Sequence, residues 1–140
     1  MSNRRVLFLC TGNSARSQMA EGWVRSVLSD DWDAYSAGTN PAGSVHSLAI
    51  EAMSEVDIDI SGHSSKHADA VRQISFDLVV TVCDHAAANC PLWLGSGRVV
   101  HMPFPDPAAA TGTREERLEA FRRARDSIRD SVLPYVEDFK

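Results

Sequence analysis

Hydrophobic positions along this chain switch repeatedly between a strand pattern and a helix pattern. Arg5 to Leu9 is a short apolar run that ends at Cys10, followed by Thr11, Gly12, Asn13 and Ser14. Such a run bounded by turn formers reads as a buried strand opening into a tight polar loop. From Ala15 the spacing becomes helical, with Met19, Trp23, Val27 and Leu28 on one face, and predicts a helix from about Ser14 to Ser29. Trp32 to Ser36 is a second candidate strand, closed by the cluster Ala37-Gly38-Thr39-Asn40-Pro41. Val45 to Val56 puts Leu48, Ala49, Ala52 and Met53 on one side, which predicts a second helix with Ser44 as its cap.

Phe76 to Val82, rich in β-branched residues, carries the clearest strand signal and ends at a second cysteine, Cys83. Ala86 to Asn89 begins a short helix limited by Pro91, and Arg98 to Met102 is a further strand before Pro103-Phe104-Pro105-Asp106-Pro107. Arg114 to Val136 closes the chain as a long amphipathic helix, with Leu118, Phe121, Ile128 and Val132 inward and Arg122, Arg123, Arg125 and Asp126 on a solvated face. Strands alternating with helices imply the α/β class, a flavodoxin-like three-layer sandwich with a four-stranded parallel sheet and helices on both faces. Ligands of such folds sit at the C-terminal ends of the strands, where Cys10, Cys83 and the loop before Asp106 converge. No repeat or linker interrupts the pattern, so residues 1–140 are expected to form a single domain.

Composition narrows the partners. A net charge of -5 leaves no basic excess for a phosphate backbone or an anionic membrane, which argues against nucleic acid and membrane partners. There is no run of about 18 apolar residues, and the apolar stretch before Cys10 is too short for a signal peptide. Three cysteines fit poorly with a secreted disulfide framework and better with reduced thiols in a cytoplasm.

The chemistry concentrates in Cys10-Thr11-Gly12-Asn13-Ser14-Ala15-Arg16-Ser17. A cysteine separated by five residues from an arginine, between a strand and a helix, wraps successive backbone N–H groups around one point at a helix N-terminus. That is a cradle for an oxyanion, formed by Thr11, Gly12, Asn13, Ser14, Ala15 and Arg16. Gly12 allows close approach of the backbone or a positive φ. Arg16 offers a planar, two-pronged donor to a tetrahedral anion. The helix end favours negative charge on the Cys10 sulfur, and the Ser17 hydroxyl is placed to donate to that sulfur as thiolate and as leaving group.

Val6 to Gly22 resembles the phosphate-binding loop of the low-molecular-weight tyrosine phosphatase superfamily, and Thr11 and Gln18 resemble its arsenate reductase branch. Asp106-Pro107 resembles the superfamily's general-acid loop. Thr81-Val82-Cys83-Asp84 with Asn89-Cys90-Pro91 resembles the redox segment of thioredoxin-coupled arsenate reductases. The three motifs occur in the family's order and span nearly the whole chain. The resemblance implies that arsenate in the loop is attacked by Cys10 while Asp106 protonates the departing oxygen. Cys83 then attacks the Cys10 sulfur and releases arsenite, and Cys90 moves the oxidation to a Cys83–Cys90 disulfide that thioredoxin reduces. Phosphate and sulfate would compete as anions, and no bound cofactor is expected. Held in a helix, Cys83 and Cys90 would lie roughly 10 Å apart at about 1.5 Å rise per residue. A disulfide needs less than about 7 Å, so Asp84 to Asn89 is expected to loop out or unwind on oxidation.

Other readings compete residue by residue. Buried cysteines are commonly plain hydrophobes, Asp106 before proline is a common turn residue, and the histidines at 46, 63, 67, 85 and 101 default to surface or satisfied polar roles. A zinc site from Cys83, His85, Cys90 and His101 lacks a paired Cys-x2-Cys knuckle and would consume the relay thiols, so no metal is expected. A flavin-binding module would leave Cys10 unexplained. The nearest rival is a phosphotyrosine phosphatase using Cys10, Arg16 and Asp106. Such enzymes resemble this chain except after Asp106-Pro107, where Ala108-Ala109-Ala110 replaces the usual tyrosines, although activity on small aryl phosphates remains compatible. Two departures from the arsenate reductase pattern stand out. Ala15 occupies a position where many relatives have a further cysteine. Asn13, Glu21 and Ser36 match a potassium site, but Lys66 stands where an Asp would be, and its ammonium is expected to replace the cation.

Overall fold

The computed structural model describes residues 3–82 and 97–139. The chain runs β1 (Arg4–Cys10), α1 (Arg16–Val27), β2 (Trp32–Gly38), α2 (Ser47–Ser54), a 3-10 helix (Ala68–Val71), β3 (Leu78–Thr81), β4 (Arg98–His101), a 3-10 turn (Pro107–Ala109) and α3 (Arg114–Glu137). The expected short helix at Ala86 to Asn89 lies outside the described residues.

The four strands form one parallel sheet in the order β2-β1-β3-β4, giving the flavodoxin-like α/β arrangement. β1 and β3 are central and read as unbroken hydrophobic runs because both of their faces are buried. Alternate residues feed two cores. Val6 and Phe8 face Met19 and Trp23 of α1, Leu48 and Met53 of α2, and Leu118, Phe121, Ile128 and Val132 of α3. Leu7, Leu9 and Val79 face Ala68, Val71 and Phe76. Three α-helices therefore cover one face, and among the described residues the 3-10 helix Ala68–Val71 covers the other. From β1 the chain crosses to β2 on one side, whereas β3 leads to β4 on the other. The crevice between the C-terminal ends of β1 and β3 is the topological switch point, where such sheets bind ligands. No described helix is long and apolar enough to cross a membrane.

The structure departs from the sequence pattern in instructive places. α1 begins at Arg16 rather than near Ser14, because Asn13 is left-handed (φ 48°) and Ala15 (φ -132°, ψ -79°) is also non-helical. Val27, expected inward, is 54% exposed, because α1 ends there and the chain turns at Leu28. α2 is capped by His46 and not by Ser44: the His46 Nδ1 accepts from the Leu48 N–H at 3.1 Å. Arg125 does not join the solvated face of α3. It is buried, donating from Nη1 to the Ala52 carbonyl (2.8 Å) and Glu55 (3.0 Å), while its own carbonyl accepts from the Trp23 indole (3.1 Å). α3 itself starts at a capping box in which Thr113 and Glu116 satisfy each other's backbone N–H groups.

Gly38 closes β2 beside the polar loop, in register with Cys10. A Cβ there would meet the Thr11 carbonyl oxygen inside van der Waals contact and lie 3.0 Å from that of Cys10. Both obstacles are backbone, so neither can swing away. Gly38→Ala is expected to cost about 1–3 kcal/mol, the usual range for overpacking, and to weaken anion binding by displacing the loop. Thermal unfolding and phosphate titration of the variant check both effects.

Candidate active site

The loop after β1 is shaped from outside. Its carbonyls are taken up one after another: Cys10 by the Thr39 N–H (3.3 Å), Thr11 by Asn40 (2.9 Å), Gly12 by Ala42 (2.9 Å) and Ser14 by His46 (2.8 Å). The Ser65 hydroxyl adds a second bond to the Gly12 carbonyl at 3.2 Å, and the Gln18 amide holds that of Asn13 at 3.1 Å. In a planar trans peptide the next N–H points opposite the carbonyl. Pinning the carbonyls of Thr11 to Ser14 outward therefore turns the N–H groups of Gly12, Asn13, Ser14 and Ala15 inward, as an oxyanion cradle requires.

Cys10 lies at the base of this loop, 3% exposed. Its sulfur accepts from the Asn13 N–H at 3.1 Å and sits 2.9 Å from the Ser17 hydroxyl oxygen. The direction of that second bond follows from the neighbours. The Asn13 Oδ1 accepts from the Lys66 N–H (2.9 Å) and the Gln18 amide (3.1 Å), so its Nδ2 must donate to Ser17 Oγ at 2.9 Å. With its oxygen already accepting, Ser17 directs its proton to the sulfur. Two donors thus converge on Cys10, an arrangement that stabilises a thiolate. The positive φ belongs to Asn13 and not to Gly12, and a Cβ on Gly12 would meet only the Ser14 hydroxyl at 3.7 Å.

Arg16, the first residue of α1, donates from Nη1 to the Phe104 carbonyl at 3.0 Å, which anchors the guanidinium across the mouth. Its Nη2 lies 3.9 Å from Asp106 Oδ2. Asp106 Oδ1 is committed to the Ala108 N–H at 3.0 Å as cap of the Pro107–Ala109 turn, which leaves Oδ2 facing the arginine. Residues separated by 90 positions are thereby brought to one mouth. Cys83 and Cys90, with the expected unwinding between them, lie outside the described residues. The described strand leaves the sheet at Val82, whose N–H donates to the Leu9 carbonyl at 3.0 Å, beside the cradle.

Behind the loop is a buried polar cluster. Glu21, 3% exposed, accepts from the Ser36 hydroxyl (2.6 Å) and from Arg25 Nε (3.0 Å), and His63 Nδ1 lies 3.5 Å from it. His63 also meets Gln18 Oε1 at 3.0 Å. Burial pushes the His63 imidazole below the usual histidine range against the pull of Glu21. Burial likewise pushes the Lys66 ammonium down, again opposed by Glu21. The Lys66 ammonium donates to the Ser64 carbonyl at 2.9 Å, while the cation in direct contact with Glu21 is Arg25. Arg25, His63, Ser65 and His46 were not singled out by sequence, because each acts through a neighbour the sequence does not disclose. Among the described residues no group of three or more His, Cys, Asp or Glu side chains is arranged to hold a metal.

Residues 5–139 match the model of the low molecular weight phosphotyrosine protein phosphatase family. An arsenate reductase of Halalkalibacterium halodurans is 47% identical over 140 residues, and one of Bacillus subtilis 45% over 140, each covering all of both chains. A solved arsenate reductase in its phosphate-binding state superimposes with a TM-score of 0.82 at 29% identity, covering 98% of this chain and 99% of that one. A full-length match of this kind, on a loop built as described, places the chain in the low molecular weight phosphotyrosine protein phosphatase family, in the branch that holds the proteins called arsenate reductases.

Proposed function

We propose that this protein reduces arsenate to arsenite in the cytoplasm, through a Cys10 adduct and a three-thiol relay regenerated by thioredoxin. The observation that carries the reading is the Cys10 sulfur, held by the Asn13 N–H and Ser17 hydroxyl at the floor of a loop crossed by Arg16. The full-length arsenate reductase relatives supply the substrate class.

Arsenate takes the place to which the loop N–H groups point, with Arg16 pairing two of its oxygens. The Cys10 thiolate attacks arsenic, and an oxygen leaves as water with the proton supplied from Asp106 Oδ2. Cys83 as thiolate then attacks the Cys10 sulfur. The sulfur–arsenic bond breaks with its electron pair staying on arsenic, so arsenic goes from the +5 to the +3 state and Cys10 is joined to Cys83. Cys90 attacks Cys83, Cys10 leaves as thiolate with Ser17 stabilising it, and the Cys83–Cys90 disulfide accepts two electrons from a dithiol protein such as thioredoxin. No bound cofactor enters these steps. The cations around the buried Glu21 carboxylate, solvent-facing Arg25 in direct contact and half-buried Lys66 nearby, support the further reading that no potassium ion is needed there. The same Cys10, Arg16 and Asp106 would hydrolyse small aryl phosphates, at a lower rate than they reduce arsenate.

Three outcomes check this scheme. Cys10→Ser removes all activity, whereas Cys90→Ser releases one equivalent of arsenite per chain and then stops; continued thioredoxin-coupled NADPH oxidation by Cys90→Ser would rule out the relay. Asp106→Asn slows adduct formation by roughly 10²- to 10⁴-fold, the usual contribution of a general acid, with phosphate affinity retained, as read by rapid-quench single turnovers. Arsenate turnover and thermal stability are the same in sodium and potassium salts at equal ionic strength, and a potassium-dependent gain in either would show that the cluster behind the loop still takes up the ion.

A further inference from the structure

His46 stands where three elements of the site meet. Its backbone N–H donates to the Ser14 carbonyl at 2.8 Å, one of the bonds that turn the cradle inward. Its Nδ1 accepts from the Leu48 N–H at 3.1 Å and so caps α2, whose first turn is completed by the Ala49 and Ile50 N–H groups on the His46 carbonyl (3.0 and 3.1 Å). Its ring packs on the fully buried Phe121 of α3, with centroids 4.6 Å apart. The charged groups that face it are Arg117 from α3 and Asp106 from the general-acid loop.

The cap and the carbonyl clamp depend on each other, because both are made by one residue whose backbone is in extended conformation (φ -63°, ψ 133°). An imidazole nitrogen can accept a hydrogen bond only while it carries no proton. The Leu48 contact therefore fixes the neutral tautomer with its proton on Nε2. A second proton would set an N–H against an N–H, in a half-buried place that already faces Arg117.

We propose that His46 is a positioning residue for oxyanion binding: its neutral imidazole caps α2 and thereby holds the backbone N–H that keeps the Ser14 carbonyl turned out of the cradle. This rests on the reading of the loop as an oxyanion site. Burial and Arg117 lower the affinity of the imidazole for a proton, against a smaller opposite effect of Asp106. The folded state therefore favours neutral His46, while the unfolded chain takes up a proton as pH falls through the ordinary value of 6.5. Stability from this group is intact above that value and is lost as pH falls below it.

The test compares wild type, His46→Asn and His46→Ala. Asparagine caps helices well and does not titrate in this range, whereas alanine caps poorly. Sulfate is the probe, because its charge is fixed between about pH 5 and 7.5 and any change belongs to the protein. Calorimetric titration near pH 7.5 is expected to give equal sulfate affinity for wild type and His46→Asn, and affinity weaker by about five-fold for His46→Ala, the equivalent of a lost cap. Thermal unfolding of the same proteins from pH 7.5 down to pH 5 is expected to show wild type losing stability relative to His46→Asn, because the unfolded chain gains a proton that the fold resists. Effects common to the three proteins cancel in the comparison. Failure of asparagine to restore binding would overturn the proposal, as would wild type keeping pace with His46→Asn in thermal stability down to pH 5. Absence of sulfate binding by wild type near pH 7.5 would instead remove the oxyanion site itself, and this role with it.

Discussion

The site depends on where the carbonyls of one loop go. A seven-residue turn at the end of a buried strand has as many acceptors as donors, and left to itself it would satisfy the two against each other. Here the acceptors are drawn off by other segments: the chain from Thr39 to His46, the Ser65 hydroxyl and the Gln18 amide. The donors on the opposite edges of the same peptides are left pointing at a common centre. A preorganised set of donors of this kind needs no reorganisation when an anion arrives, which is what gives it leverage over charge. The same constraint explains Gly38, since the segment that supplies those N–H groups must start within contact of the loop backbone it clamps.

Below the loop, a line of hydrogen bonds with only one consistent polarity runs from His63 through Gln18 and Asn13 to Ser17 and Cys10. Each amide orientation is dictated by a backbone group next to it: Lys66 N–H fixes Asn13, and the Ser64 carbonyl fixes Gln18. The environment of the Cys10 sulfur is thus set by side chains whose own orientation is dictated by backbone groups behind the loop. Left-handed Asn13 is the pivot, because its unusual backbone both brings its N–H to the sulfur and lets its side chain reach Ser17.

Much of this was legible from sequence, for definite reasons. Strands β1 and β3 and the inward faces of α2 and α3 are local patterns, and burial on both sides of a parallel sheet leaves a plain signature in Phe8, Leu9, Val79 and Val80. The Cys10 to Arg16 spacing, with a strand before it and a helix after, is likewise local. What could not be read is where long-range partners arrive. Arg125 carries the same charge as Arg122 and Arg123 in a run that looks solvated, and only the closeness of Ala52 and Glu55 on α2 turns it inward. Ser44 fits the composition expected of a cap, yet the chain from Thr39 to His46 is held against the loop, so helical geometry starts later and the capping passes to a histidine. The left-handed residue fell on Asn13 beside a glycine because the asparagine side chain has three partners to bind in that conformation and a glycine would have none.

On the proposed reading the same cysteine, arginine and aspartate would serve hydrolysis of an organic phosphate or reduction of an inorganic anion, so the difference would lie in what surrounds them. Beyond Asp106 the turn Pro107–Ala109 presents Ala108 and Ala109 to solvent, and no aromatic side chain follows the aspartate there. An aryl group would find no ring to stack on in the turn Pro107–Ala109 itself. A tetrahedral inorganic anion asks nothing of that turn, because it has no ring to stack. Small residues after Asp106 therefore give up an aromatic grip on organic substrates, which is the balance expected of a site whose substrate has no organic part.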